Sequence, residues 1–215
     1  MILHAVIDTN ILVSALISSN PVSPTKGVIG HVRDGNIAPM INNEIIEEYG
    51  EVLSRRKFNF SKTDIEDTLN LFLVKGANYT PECLRKGFAD PDDTIFYETY
   101  LMEDDAYLIT GNLKHFPTEP RIVSPADIIR IINLSASLNN HILSEPQAEY
   151  VSETTKIKLQ RAWEAIERMR ASAIANGIAD MSMEEIDEEI RKSRRERRQY
   201  YIFAETSDSC YGLMD

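Results

Sequence analysis

Cysteine is nearly absent from this chain, and with it any disulfide scaffold. Cys83 and Cys210 stand far apart with no Cys-x-x-Cys pair among 215 residues, so neither a disulfide framework nor a thiolate zinc site is indicated. Histidine is almost as scarce: His4, His31, His115 and His141 show no metal-ligand spacing. Any metal must then be a hard ion held by oxygen. No apolar run approaches the roughly 20 residues of a bilayer crossing. The Met1-Ile2-Leu3-His4 start lacks the basic segment, long apolar stretch and small-residue cleavage site of a secretory signal. A cytoplasmic protein without a membrane partner is expected. Positive charge is also in deficit, with 23 Lys and Arg against 34 Asp and Glu, a formal net charge of -11. That argues against a general nucleic-acid-coating role, which rests on a basic surface. It leaves room for an enzyme whose acids hold metal ions, because bound cations invert the local charge.

What is present is an alternation of strand and helix patterns in a chain that is 43% hydrophobic and 27% charged, enough for one sizeable domain plus something smaller. Apolar runs at 2–7, 37–41, 106–110 and 121–123 have strand length, and 79–84 is a weaker third strand interrupted by Pro81 and Glu82. Helical patterns begin at 11–17, 25–33 and 42–44, then at Ser61, at Asp90-Pro91-Asp92-Asp93 and at Ser124-Pro125. The alternation predicts an α/β fold with a mainly parallel sheet.

That fold is expected over 1–134, a polar linker with Pro146 over 135–155, and two amphipathic helices within 156–199. Leu159, Ala162, Trp163, Ile166, Met169 and Ala173 form one stripe, closed by Asn176-Gly177. Ser182 to Glu185 is a capping-box signature, and that helix ends in basic residues 194–198. Helices without a core of their own should pack on the α/β domain. Residues 200–215 carry no readable pattern.

Acids recur at strand-to-helix junctions. Asp8 follows the first strand, Glu44 opens the helix after the second, and Asp90, Asp92 and Asp93 open the helix before the 106–110 strand. In a parallel sheet such junctions share one edge, where ligand sites lie. Each acid also has a plain reading as a helix cap or dipole partner. Carboxylates drawn together repel unless protons or a cation intervene, and oxygen-only ligands suit Mg²⁺ or Mn²⁺ and phosphoryl chemistry.

The segments Val6-Ile7-Asp8-Thr9-Asn10-Ile11-Leu12, Asn43-Glu44-Ile45-Ile46-Glu47-Glu48-Tyr49, Asp90-Pro91-Asp92-Asp93 and Ile109-Thr110-Gly111-Asn112-Leu113-Lys114-His115-Phe116-Pro117 resemble the successive motifs of PIN-domain nucleases. They are most similar to the toxin components of bacterial toxin–antitoxin pairs. The resemblance covers about residues 1–133 and implies a PIN-like three-layer α/β/α fold with a mainly parallel central sheet, followed by a C-terminal helical tail. It implies a metal-dependent endoribonuclease using Mg²⁺ or Mn²⁺, with Asp8, Glu44 and Asp93 as catalytic metal ligands and Asp90 assisting. Thr9, Asn10 and Thr110 would support the site. Asn112 stands where the family commonly has Asp; its amide can coordinate or hydrogen-bond but adds no charge. Arg55, Arg56, Lys57 and Lys114 are candidates for gripping RNA phosphates, with helix-dipole compensation as the other reading of the Arg55 group.

Residues 161–198 resemble the toxin-binding tail of the antitoxins paired with such toxins. The partner set implied is RNA, an antitoxin or this chain's own antitoxin-like tail, and a second copy through apolar helix faces. Such a tail directs an arginine at the acids, which makes Arg191, Arg194, Arg195, Arg197 and Arg198 the inhibitory candidates. The alternatives are a solvated basic helix end and, for the whole chain, a catalytically impaired PIN-like platform for toxin–antitoxin binding. Phosphoryl-aspartate enzymes fit less well: a dehalogenase-type phosphatase needs an acid where Asn10 stands, and no convincing receiver-domain acceptor is present.

Overall fold

The computed structural model describes residues 2–81, 91–139, 152–179 and 181–210. The first apolar run forms β1 (Leu3–Ile7), which pairs in parallel with β2 (Ile37–Ile41) on one side and β4 (Tyr107–Ile109) on the other. With edge strands β3 (Ala77–Asn78) and β5 (Ile122–Val123), the sheet is five-stranded and all-parallel, in the order β3-β2-β1-β4-β5. Ala5, Val6, Ile7, Leu108 and Ile109 are buried, as befits central strands covered on both faces.

The flanking helices are α1 (Thr9–Ile17), α2 (Pro24–Arg33), α3 (Asn43–Leu53), α4 (Lys62–Lys75), α5 (Thr94–Tyr100) and α6 (Pro125–Asn139). The α/β alternation read from the sequence is the architecture found. The third strand is displaced, however. Pairing to β2 is complete at Met40–Ala77 and Ile41–Asn78, ahead of the expected 79–84 segment, of which 82–90 lie outside the described residues. The strand is two residues long and exposed, so no apolar run marks it. Helix α6 continues past Leu134 into the stretch expected as linker.

Two long helices follow among the described residues. In α7 (Glu153–Ala175) the Ser152 side chain accepts the Thr155 N–H, so the helix starts earlier than the apolar stripe suggests. Its Ala162, Ala165, Ile166, Met169 and Ala173 are buried along α4, where the Thr68 hydroxyl lies 3.2 Å from the Met169 sulfur. Small residues let the helices approach closely, and each large side chain buried contributes about 1.5–3 kcal/mol. Gly177, at φ 69°, ends the helix in a left-handed conformation suited to glycine. Helix α8 (Met183–Cys210) opens on the expected capping box: the Ser182 N–H donates to Glu185 at 2.8 Å and the Glu185 N–H to the Ser182 hydroxyl at 3.2 Å. It packs against α1 and α3, over the carboxyl edge of the sheet.

Candidate active site

Three carboxylates, two from junctions and one from within a helix, meet at that edge. Asp8 ends β1 and caps α1, its side chain accepting the Asn10 N–H, so the cap reading and the site reading describe one residue. Asp93 sits where a short 3-10 turn (Pro91–Asp93) feeds α5. The third acid is Glu48, one helical turn beyond the expected Glu44. Glu44 is exposed in the first turn of α3, where its charge offsets the helix dipole. Glu48 is 2% exposed, Asp8 4% and Asp93 3%. The clue was available: Ile45, Tyr49, Val52 and Leu53 are the buried face of α3, and Glu48 is the acid on that stripe.

Each acid is held by a neighbour. Thr110 donates to Asp8 Oδ2 at 2.6 Å, and Asn10 Nδ2 donates to the same oxygen at 2.9 Å. Thr9 donates to Glu48 Oε1 at 2.6 Å. His115, which spacing alone gave no reason to select, places Nδ1 3.2 Å from Asp93 Oδ2 and Nε2 2.8 Å from Asn112 Nδ2. Nε2 can accept from the Asn112 amide, while Nδ1 stands close to Asp93 Oδ2 without hydrogen-bond geometry. Asp90 lies outside the described residues.

The cluster is electrostatically costly. Burial, then the charge of Asp93, pushes the Asp8 pKa up to about 7, against the pull of the Thr110 hydrogen bond and of Arg194. Arg194 of α8 is the counter-charge. Its Nε and Nη2 reach Glu48 Oε2 and Oε1 at 3.1 and 2.8 Å, a two-pronged fork, while Nη1 reaches Asp93 Oδ1 at 2.8 Å. Burial alone disfavours its charge; the Glu48 and Asp93 carboxylates outweigh this and hold its pKa above the usual arginine value.

The other basic residues divide. Arg197 lies 3.3 Å from Glu51, 3.4 Å from Asp92 and 3.6 Å from Glu48, and Arg198 lies 3.2 Å from Asp92. Arg191 and Arg195 instead pair with Glu188 on their own helix, away from the acid cluster. Arg55 is taken up by the tail, with Nε 2.8 Å from Glu189 and Nη1 3.1 Å from Glu196. Arg56, Lys57 and Lys114 are exposed. The rim around Arg55 and α8 is a cavity of about 790 Å³ that includes Arg56, Lys57 and Arg197.

Among the described residues no group of three or more His, Cys, Asp or Glu side chains is disposed as a metal cage. The guanidinium of Arg194 stands among the carboxylates, which open around a flat cation instead of closing on a spherical one. The donor set itself, Asp8, Glu48 and Asp93, is the all-oxygen kind that hard divalent ions take. Among the described residues no helix is long and apolar enough to cross a membrane.

A family model described as PIN domain matches residues 4–114, a little over half of the chain. No curated protein and no solved structure matches it. The matched span holds Asp8, Glu48, Asp93, Thr110 and Asn112 and stops short of α7 and α8. PIN domains are generally nucleases and typically use divalent metals. On this match, and with a parallel sheet that gathers acids at its carboxyl edge, the chain belongs to the PIN-domain family.

Proposed function

We propose that this chain is a toxin-type endoribonuclease dependent on Mg²⁺ or Mn²⁺ and restrained by its own antitoxin-like tail. The observation that carries the reading is the meeting of Glu48 and Asp93 on Arg194, with Asp8 buried beside them. Asp8, Glu48 and Asp93 would hold the ion, which when bound lowers the pKa of a water at the scissile phosphate and offsets developing charge. Thr110 and Asn10 orient Asp8 and Thr9 orients Glu48, so these two carboxylates are positioned before substrate arrives. No protein nucleophile is needed. Arg194 satisfies the same oxygens that an ion would, so tail and metal compete for one place.

Incubating RNA with Mn²⁺ and either the full chain or its Arg194→Ala variant tests this. The variant should cut at least about tenfold faster, the effect of about 1.4 kcal/mol of lost restraint. Asp8→Asn added to it should abolish cutting. Equal rates for the unaltered chain and Arg194→Ala would end the restraint. A platform without catalysis is the second reading, favoured by the amide at Asn112 in place of a charge. It predicts that Arg194→Ala neither binds Mn²⁺ nor cuts RNA.

A further inference from the structure

Two amides flank the acid cluster, and each has one N–H committed inside the site and one turned toward α8. Asn10 is fixed from both sides: its Oδ1 accepts the Gly111 N–H at 3.0 Å, and its Nδ2 donates to Asp8 at 2.9 Å. Asn112 is fixed by Nδ2 against His115 Nε2 at 2.8 Å, with its backbone N–H on the Thr110 hydroxyl at 3.0 Å. The two remaining amide hydrogens converge on one carboxylate. Asp187 of α8 places Oδ1 3.3 Å from Asn10 Nδ2 and Oδ2 3.3 Å from Asn112 Nδ2.

These donors are oriented by Gly111, Asp8 and His115, all within the PIN domain and independent of the tail. Asp187, by contrast, sits at the long end of hydrogen-bond distance from both and loses hydration on half-burial. A pair of preset donors beside acids, loosely filled by a carboxylate, has the form of a seat for a different oxyanion. A phosphodiester presents two non-bridging oxygens that two such donors can share, and phosphate contacts from Asn side chains position a nucleic acid without reading its bases.

We propose that Asn10 and Asn112 form a two-pronged seat for a substrate phosphodiester beside the acid cluster, and that Asp187 occupies it in this chain as a stand-in for that phosphate. The inference deepens the nuclease reading and rests on it for the identity of the substrate as RNA. It also gives Asn112 a task that an Asp could not perform. A carboxylate there would repel the phosphate, whereas an amide donates to it. Helix α8 then covers the site at two points of opposite charge, Arg194 at the place of the metal and Asp187 at the place of the phosphate.

The experiment uses full-length Asp187→Ala and Asp187→Asn, the second keeping the shape of the side chain. Dimethyl phosphate, the minimal phosphodiester, is titrated while the side-chain amide signals of Asn10 and Asn112 are followed by NMR. Both signals should shift saturably in the Asp187 variants, at concentrations that leave the unaltered chain unmoved. Absence of a shift in both variants would overturn the seat. In parallel, Asn112→Ala is added to Arg194→Ala/Asp187→Ala and RNA cleavage is measured with Mn²⁺. The KM should rise about tenfold, the effect of one charge-assisted hydrogen bond, with kcat much less changed. Cleavage with unchanged KM overturns the seat and leaves the nuclease reading intact. No cleavage by the parent variant, with the amide shifts present, overturns the nuclease reading and leaves an anion seat.

Discussion

Asp8 carries the conflict between folding and chemistry in its purest form. Its pKa is pushed from 3.8 up to about 7 by burial and by Asp93. Between those values the folded chain binds more protons than the unfolded one, so stability falls as pH rises through that window. Asp8→Asn removes the group that must ionise. Without metal, the variant should therefore melt higher than the unaltered chain at pH 8, by on the order of 2–4 kcal/mol, and the two should converge near pH 4. Thermal melts across that range check it; a variant less stable at pH 8 would show that the Asp8 charge is welcome there. Glu44 and Glu48 give a second contrast at this scale. In an Arg194→Ala background, Glu48→Gln should weaken Mn²⁺ binding at least about tenfold, while Glu44→Gln should leave it unchanged, since that side chain is exposed at the helix start. Calorimetric titration of both variants decides between the two acids.

At the scale of elements, the sequence showed most clearly what hydrophobic periodicity writes. β1, β2 and β4 are near-continuous apolar runs, and α7 carries a stripe that buries on α4, so both were visible. The two-residue β3 is exposed and paired through backbone, which leaves no trace in side-chain pattern. A helix start draws attention to its first acid, Glu44, whereas Glu48 is marked only by being a charge that interrupts the buried face Ile45–Tyr49–Val52. His115 and Asp187 gained their places only through contacts across the fold, to Asp93 and to Asn10 and Asn112. The basic end of α8 was legible as a group, yet only packing separates the buried Arg194 from Arg195 beside it, which faces outward to Glu188. The proposed competition between α8 and metal has an element-scale consequence. In Arg194→Ala, Mn²⁺ at a hundred times its Kd should stabilise the fold by about 2.7 kcal/mol. The unaltered chain should gain less, because the ion must first displace a guanidinium from the same oxygens. Melting curves with and without Mn²⁺ measure the difference, and an equal gain in both chains would mean that Arg194 and the ion do not share a site.

Across the whole molecule, the two tail helices are held by different physics. Helix α7 is held by apolar burial against α4, through Ala162, Ile166 and Met169. Helix α8 buries Ile186 and Ile190 but makes its contacts to the catalytic edge mainly through charge: Arg194 to Glu48 and Asp93, Glu189 and Glu196 to Arg55, Arg197 and Arg198 to Asp92. This gives a chain of net charge -11 a tail that is anchored at one helix and releasable at the next. On the proposed reading the cover belongs to the same chain as the site, so a substrate must displace α8 and not merely meet the site. Salt separates the two attachments. Raising ionic strength from about 0.05 M to about 0.5 M shortens the screening length severalfold and weakens the pairs that have an exposed partner, Arg55–Glu196, Arg197–Glu51 and Arg198–Asp92, while apolar packing is not weakened. Amide hydrogen exchange should therefore quicken along α8 beyond Glu189 as salt rises, with α7 at Ala162–Met169 unchanged. Exchange that quickened equally in both helices would show the tail to leave as one unit, and the division into anchor and cover would fall with it.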